Sequence, residues 1–184
     1  MPSLHAPDGG AVDDVESYVF EQGRVRIIAL LRDVKAREAE KDPEQLELNL
    51  PEPYEIYDVR KPGLPKRTAR LPIKLDAASP TILALSKEPL PAPRIAGPAV
   101  VHAGETANFR IGCSGEPGRC PGFLYIGVID PDGLPVPYYG GNLPEAATSY
   151  CLPVAFNAKL GVWTIRARNS LSGEDATAQL LVAP

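Results

Sequence analysis

Apolar and polar residues alternate along most of this chain. Leu46, Leu48 and Leu50 are separated by Glu47 and Asn49. Leu71, Ile73 and Leu75 repeat the pattern, and so do Phe109 and Ile111, Leu124 and Ile126, Trp163, Ile165 and Ala167, and Leu180 and Val182. A period of two is the mark of a strand with one buried face. It predicts strands over 17–20, 24–34, 46–50, 54–59, 71–75 and 81–85. In the second half it predicts strands over 94–101, 106–113, 123–130, 136–139, 149–156, 162–168 and 176–182. In 24–34, Val25, Ile27, Ala29 and Leu31 share one face while Ile28 and Leu30 make the other apolar too, so part of that strand is covered on both sides. Eleven residues also admit a helix; the β-branched content and the turn at Gly23 favour a strand.

Punctuation agrees with many short strands. The 21 prolines and 16 glycines interrupt the apolar runs at 21–23, 61–65, 103–105 and 130–133. Pro89, Pro91 and Pro93 alternate with Leu90 and Ala92, which holds the backbone extended and removes amide donors. The resulting organisation is a disordered lead over 1–15, a small β-sandwich over 16–88, a Pro-rich linker over 89–93 and an Ig-like or fibronectin-like β-sandwich over 94–184. The fold class is all-β: two tandem antiparallel β-sandwich domains. The lead has no basic stretch followed by an apolar one, as a signal peptide would. A charge-dense stretch over 35–44 reads as a solvated loop or short exposed helix.

Composition narrows the function classes. A net charge of −4 with interspersed signs argues against a nucleic-acid partner. No apolar run approaches the ~20 residues of a membrane-spanning helix, so no membrane insertion is expected. Cys113, Cys120 and Cys151 are too few for a disulfide scaffold and lack zinc spacing. Cys113 and Cys120 flank a hairpin loop and are a possible disulfide, though a reducing compartment would keep them as thiols. A Cys113/His102 dyad is the weakest catalytic candidate. There is no Gly-x-Ser-x-Gly elbow and no phosphate-cradling glycine loop, and no cofactor is expected.

Three polar groupings merit a structural check. Asp130, Asp132 and Gly133 resemble the start of a calcium loop, but no acidic ligand follows at the needed spacing, and turn chemistry accounts for them. Tyr138, Tyr139 and Asn142, beside Gly140 and Gly141, are the candidate ligand-binding group: aromatic rings stack on the C–H face of a sugar while an amide bonds its hydroxyls. On a strand one tyrosine would point in and the other out. Tyr54 and Tyr57 have opposite parity, whereas Asp58 and Arg60 share parity and could pair at the surface.

Several of these segments resemble the non-catalytic C-terminal β-sandwich modules of large bacterial β-galactosidase-like glycoside hydrolases. In the second half the resemblance lies in 104–106, 130–133, 138–142, 155–157, 161–165 and 171–173. In the first half it lies in 18–20, Gly23, 30–33, 57–60, Leu75 and 83–85. Ala158 and Asn169 depart from the pattern where acidic residues are expected, and 113–120 looks inserted. The resemblance implies an accessory module without catalytic residues, with carbohydrate or an upstream catalytic domain as partner. It implies an extracellular or periplasmic location if the chain is a piece of an exported enzyme. The alternative is a protein-interaction or adhesion module with Ig-like domains.

Overall fold

The computed structural model describes residues 2–184 except 11, 13, 34–43, 62, 77, 115–119 and 144–148. The charge-dense stretch over 35–44 falls, but for Glu44, outside the described residues. The chain forms two compact units, Met1–Leu90 and Pro91–Pro184. The architecture is all-β, built from antiparallel sheets with one parallel edge pair.

The first unit is one six-stranded sheet: β1 (Ser3–His5), β2 (Val15–Gln22), β3 (Val25–Arg32), β4 (Glu44–Asp58), β5 (Lys66–Leu75) and β6 (Thr81–Ser86). The two strands read over 46–50 and 54–59 are a single strand, β4. Its register against β5 shifts between Asn49 and Tyr54, where Pro51 and Pro53 interrupt the amide ladder. The first half of β4 pairs with β1 and the second half with β6, so one strand serves both halves of the sheet. Leu46, Leu48 and Leu50 from one half meet Ile56, Leu83, Leu85, Ile28 and Leu30 from the other in one core, which Leu71, Ile73 and Leu75 complete. The 24–34 segment is strand, with Ile28 and Leu30 as its core face and Ile27, Ala29 and Leu31 half-buried behind.

The lead expected to be disordered contributes to this unit. Ser3–His5 pairs with Asn49, Leu48 and Glu47, and Leu4 packs on the core. Period-two reasoning misses a three-residue strand, because the pattern is too short to register.

The second unit holds β7 (Pro93–Ala96), β8 (Val100–His102), β9 (Thr106–Cys113), β10 (Leu124–Ile129), β11 (Gly141–Leu143), β12 (Ser149–Pro153), β13 (Gly161–Asn169) and β14 (Asp175–Ala183). The segment 94–101, read as one strand, is two: β7 joins one sheet and β8 the other. Gly97 and Pro98 lie at the switch, and the Phe109 ring occupies the space a side chain at Gly97 would need. One sheet has the order β11-β10-β13-β14-β8 and the other β12-β9-β7. Two facing sheets with this crossover, and an edge strand parallel to the last strand, make an Ig-like sandwich. Its core joins Phe109, Ile111, Leu124, Ile126, Leu152, Trp163, Ile165 and Leu180. Among the described residues no disulfide crosses between the sheets, and aliphatic and aromatic side chains pack there.

Candidate functional site

The second unit places most of the polar candidates, beginning at the turn that follows β10, which meets the segment between β12 and β13. Asp130 closes its turn by accepting the backbone N–H groups of Asp132 and Leu134 on Oδ1, at 3.0 and 2.9 Å. Its Oδ2 and the Oδ2 of Asp132 each lie 2.6 Å from the Nζ of Lys159. The acidic pair therefore already holds a cation, an ammonium from the same chain. The Lys159 ammonium, followed by the Leu134 N–H, holds the Asp130 carboxyl below its ordinary range. The same bonds raise Lys159. Trp163 Nε1 donates to the Lys159 carbonyl at 2.8 Å, tying this corner to the core. That bond takes the place of the tyrosine corner of Ig domains, in which a side chain at the start of the corresponding strand reaches back to the backbone upstream.

Tyr138 and Tyr139 share one turn, and Asn142 belongs to the strand that follows it. Pro137–Tyr139 is a 3-10 turn and not the predicted strand; Pro137 sets its φ and supplies no ladder donor. Tyr138 is exposed. Its ring lies 4.4 Å from that of Tyr139, which packs on the core within 6.1 Å of Trp163. Burial raises the Tyr139 hydroxyl. Tyr150, which donates to the Tyr139 carbonyl at 2.6 Å, is pushed up to about 12 by burial. Asn142 lies on β11 directly opposite Tyr125 of β10.

Tyr125 is the residue that sequence reasoning missed. It points outward between buried Leu124 and Ile126 and is 51% exposed. Register places Asn142 on one side of it and Arg168 on the other, with Asp175 beyond. Gly127, two residues along, adds no side chain that would cover the ring. The signal was present in the inward placing of Leu124 and Ile126, which makes Tyr125 outward.

The same outer face carries a second row. Val162 pairs with Leu181, and Leu181 with Val100, on three adjacent strands. They are 49%, 42% and 51% exposed, while their chain neighbours Trp163, Leu180, Val182 and Val101 are buried. Residues opposite one another on adjacent strands touch through their side chains, so the three form one aliphatic stripe. The outer face of this sheet thus presents an aliphatic row and, separated from it, a tyrosine flanked by an amide and a guanidinium.

The remaining candidates are occupied. Cys113 and Cys120 form a disulfide, which removes the thiol from the Cys113/His102 dyad. His102 Nδ1 instead lies 2.6 Å from the Pro184 carbonyl oxygen. Cys151 is a free, exposed thiol. In the first unit Tyr54 and Tyr57 are both buried, Tyr54 in the core and Tyr57 accepting the Leu90 N–H at 2.8 Å. Asp58 does not pair with the Arg60 guanidinium; it accepts the backbone N–H groups of Arg60 and Lys61, each at 3.0 Å. Among the described residues, no three His, Cys, Asp or Glu side chains gather as a metal would require.

No protein-family model and no curated protein matches this chain. Among solved structures it is similar to a chimeric titin Z1Z2-Z1Z2 tandem functionalised with an exogenous GRGDS peptide from fibronectin. The identity is 17% over all of this chain and 84% of that one, with a TM-score of 0.32. No helix among the described residues is long and apolar enough to cross a membrane.

Proposed function

We propose that this chain is a non-catalytic recognition module, which binds a protein partner through the outer face of the five-stranded sheet in its second unit. The observation that carries this reading is the aliphatic row of Val162, Leu181 and Val100. Side chains of this kind, adjacent on a sheet face and about half exposed, lose water on docking at roughly 25 cal/mol per Å² of apolar surface. The polar pair next along the same face, Thr164 and Gln179, fits the usual rim of an interface. The Ig-like fold is compatible with this use. The test compares the full chain with its Leu181→Asp variant in affinity capture from the cells that express it. The wild type retains a protein that the variant loses. Equal capture by a variant of unchanged circular dichroism would sink the reading.

A second reading has its own observation. Tyr125 presents an exposed ring between Asn142 and Arg168, the combination that stacks on a sugar and bonds its hydroxyls. This supports a glycan contact and the role as accessory module of a carbohydrate-processing protein, which otherwise rests on the motif resemblance. Affinity electrophoresis in polysaccharide gels separates the readings. Retardation of the wild type, lost in Tyr125→Ala and kept in Leu181→Asp, favours the glycan; migration independent of polysaccharide removes it.

A further inference from the structure

The first unit contains a cleft unrelated to the sheet face described above. Leu71, Pro72, Ile73 and Lys74 line one wall. They are consecutive, so the cleft runs along an edge of β5. Among the described strands, β5 pairs only with β4. Pro72 has no N–H to offer a further strand, which leaves that edge open. Ile56 and Leu83 form the floor with Leu71 and Ile73, and all four belong to the core. The turn that follows β4 closes the far side. Asp58 Oδ1 holds it by accepting the Arg60 and Lys61 N–H groups, which brings Lys61 to the cleft. The cleft is open to solvent on one side and holds about 270 Å³.

Charge defines what this space accepts. Among the described residues, Lys61, Lys66 and Lys74 line it, and Asp58 is the one carboxylate there. No described residue forms an ion pair or side-chain hydrogen bond with any of the three ammonium groups. A local excess of cations in a chain of net charge −4 is a departure from its average. Buried apolar side chains with exposed lysines in the same lining suit a ligand with one anionic end and a hydrocarbon body. The volume, at the small end for ligand pockets, limits that body to a ring or a short chain.

We propose that this cleft binds a small organic monocarboxylate, with its carboxylate among Lys61, Lys66 and Lys74 and its carbon skeleton on Ile56, Leu71, Ile73 and Leu83. Partial enclosure strengthens each lysine–carboxylate attraction relative to bulk water. The ammonium groups remain solvated, so salt weakens binding.

The test is an amide-resolved NMR titration of the full chain with phenylacetate, run beside its neutral amide and inorganic phosphate. Phenylacetate is expected to shift the amides of Lys61, Lys66, Leu71, Ile73 and Lys74 along a saturable curve. The neutral amide and phosphate shift them at least about tenfold more weakly. Lys61→Gln/Lys74→Gln weakens phenylacetate binding at least about tenfold, and its spectrum reports whether the fold is intact. Lys66→Gln, carrying a single exposed change, provides the same comparison should the double variant unfold. The proposal is overturned if phenylacetate leaves these amides unmoved, if phosphate or the neutral amide matches it, or if a folded variant binds as the wild type does.

Discussion

Lys159 decides the character of the acidic turn at 130–133. With its ammonium between Asp130 and Asp132, the charge of both carboxylates is met within the chain. A carboxyl held below its ordinary value of 3.8 stabilises the folded state above that pH and loses the contribution as pH falls through its folded value. Lys159, raised above 10.5, contributes fully below that pH and loses the contribution only as pH climbs through its raised value. The pair is therefore constant near neutrality. Lys159→Met is expected to flatten the acid limb of a melting-temperature profile below about pH 4, because it removes the principal cause of the Asp130 shift. An acid limb as steep as the wild type's would show that the ion pair is not coupled to folding. Trp163→Phe keeps an aromatic ring in the core but removes the donor to the Lys159 carbonyl. A loss of about 1 kcal/mol is expected in urea unfolding followed by far-ultraviolet circular dichroism. None of these partners was legible in the sequence, since Lys159 lies 29 residues from Asp130. The turn at Asp130 was legible, because Asp, Pro and Gly act there on the local backbone.

Strands were legible wherever one face is buried and the other wet. The alternation at Leu71, Ile73 and Leu75, or at Trp163, Ile165 and Ala167, depends only on neighbours two residues away. Boundaries were not legible where a partner strand decides them. β4 runs through Pro51 and Pro53 because β1 and β6 pair with its two ends, and β7 and β8 separate because each joins a different sheet. Pro137–Tyr139 read as strand from its aromatics, yet Pro137 favours the turn that forms. This is why the predicted alternation of Tyr138 and Tyr139 does not apply. The Cys113–Cys120 bridge closes a short loop at the end of β9, with a sequence separation of 7. A loop of that size restricts the unfolded chain by about 2.5 kcal/mol. Reduction with dithiothreitol, or Cys113→Ser with Cys120→Ser, is expected to lower the denaturation midpoint of the second unit accordingly. An unchanged midpoint would show that the loop is restrained without the bridge. Truncation before Ala6, which removes β1, is expected to destabilise the first unit and leave amide spectra of the second unmoved.

At the scale of the whole molecule, two β-units divide at Leu90 and Pro91 and carry different surfaces. The second presents a sheet face with an aliphatic row and a flanked tyrosine, and the first a lysine-lined cleft. Several polar groups are engaged within the chain, Cys113 in a bridge, Asp130 and Asp132 with Lys159 and His102 against Pro184, while Cys151 is a free, exposed thiol. Function in this account follows from surfaces, which sequence periodicity assigns only as outward positions without saying which of them adjoin. Register supplies that adjacency, and it is what makes Val162, Leu181 and Val100 a single feature. The most direct measurement is hydrogen exchange on the full chain, alone and with the protein it captures. Exchange of the amides of β8, β13 and β14 around Val100, Val162 and Leu181 is expected to slow in the complex. Protection confined to the first unit or to the opposite β12-β9-β7 sheet would contradict it.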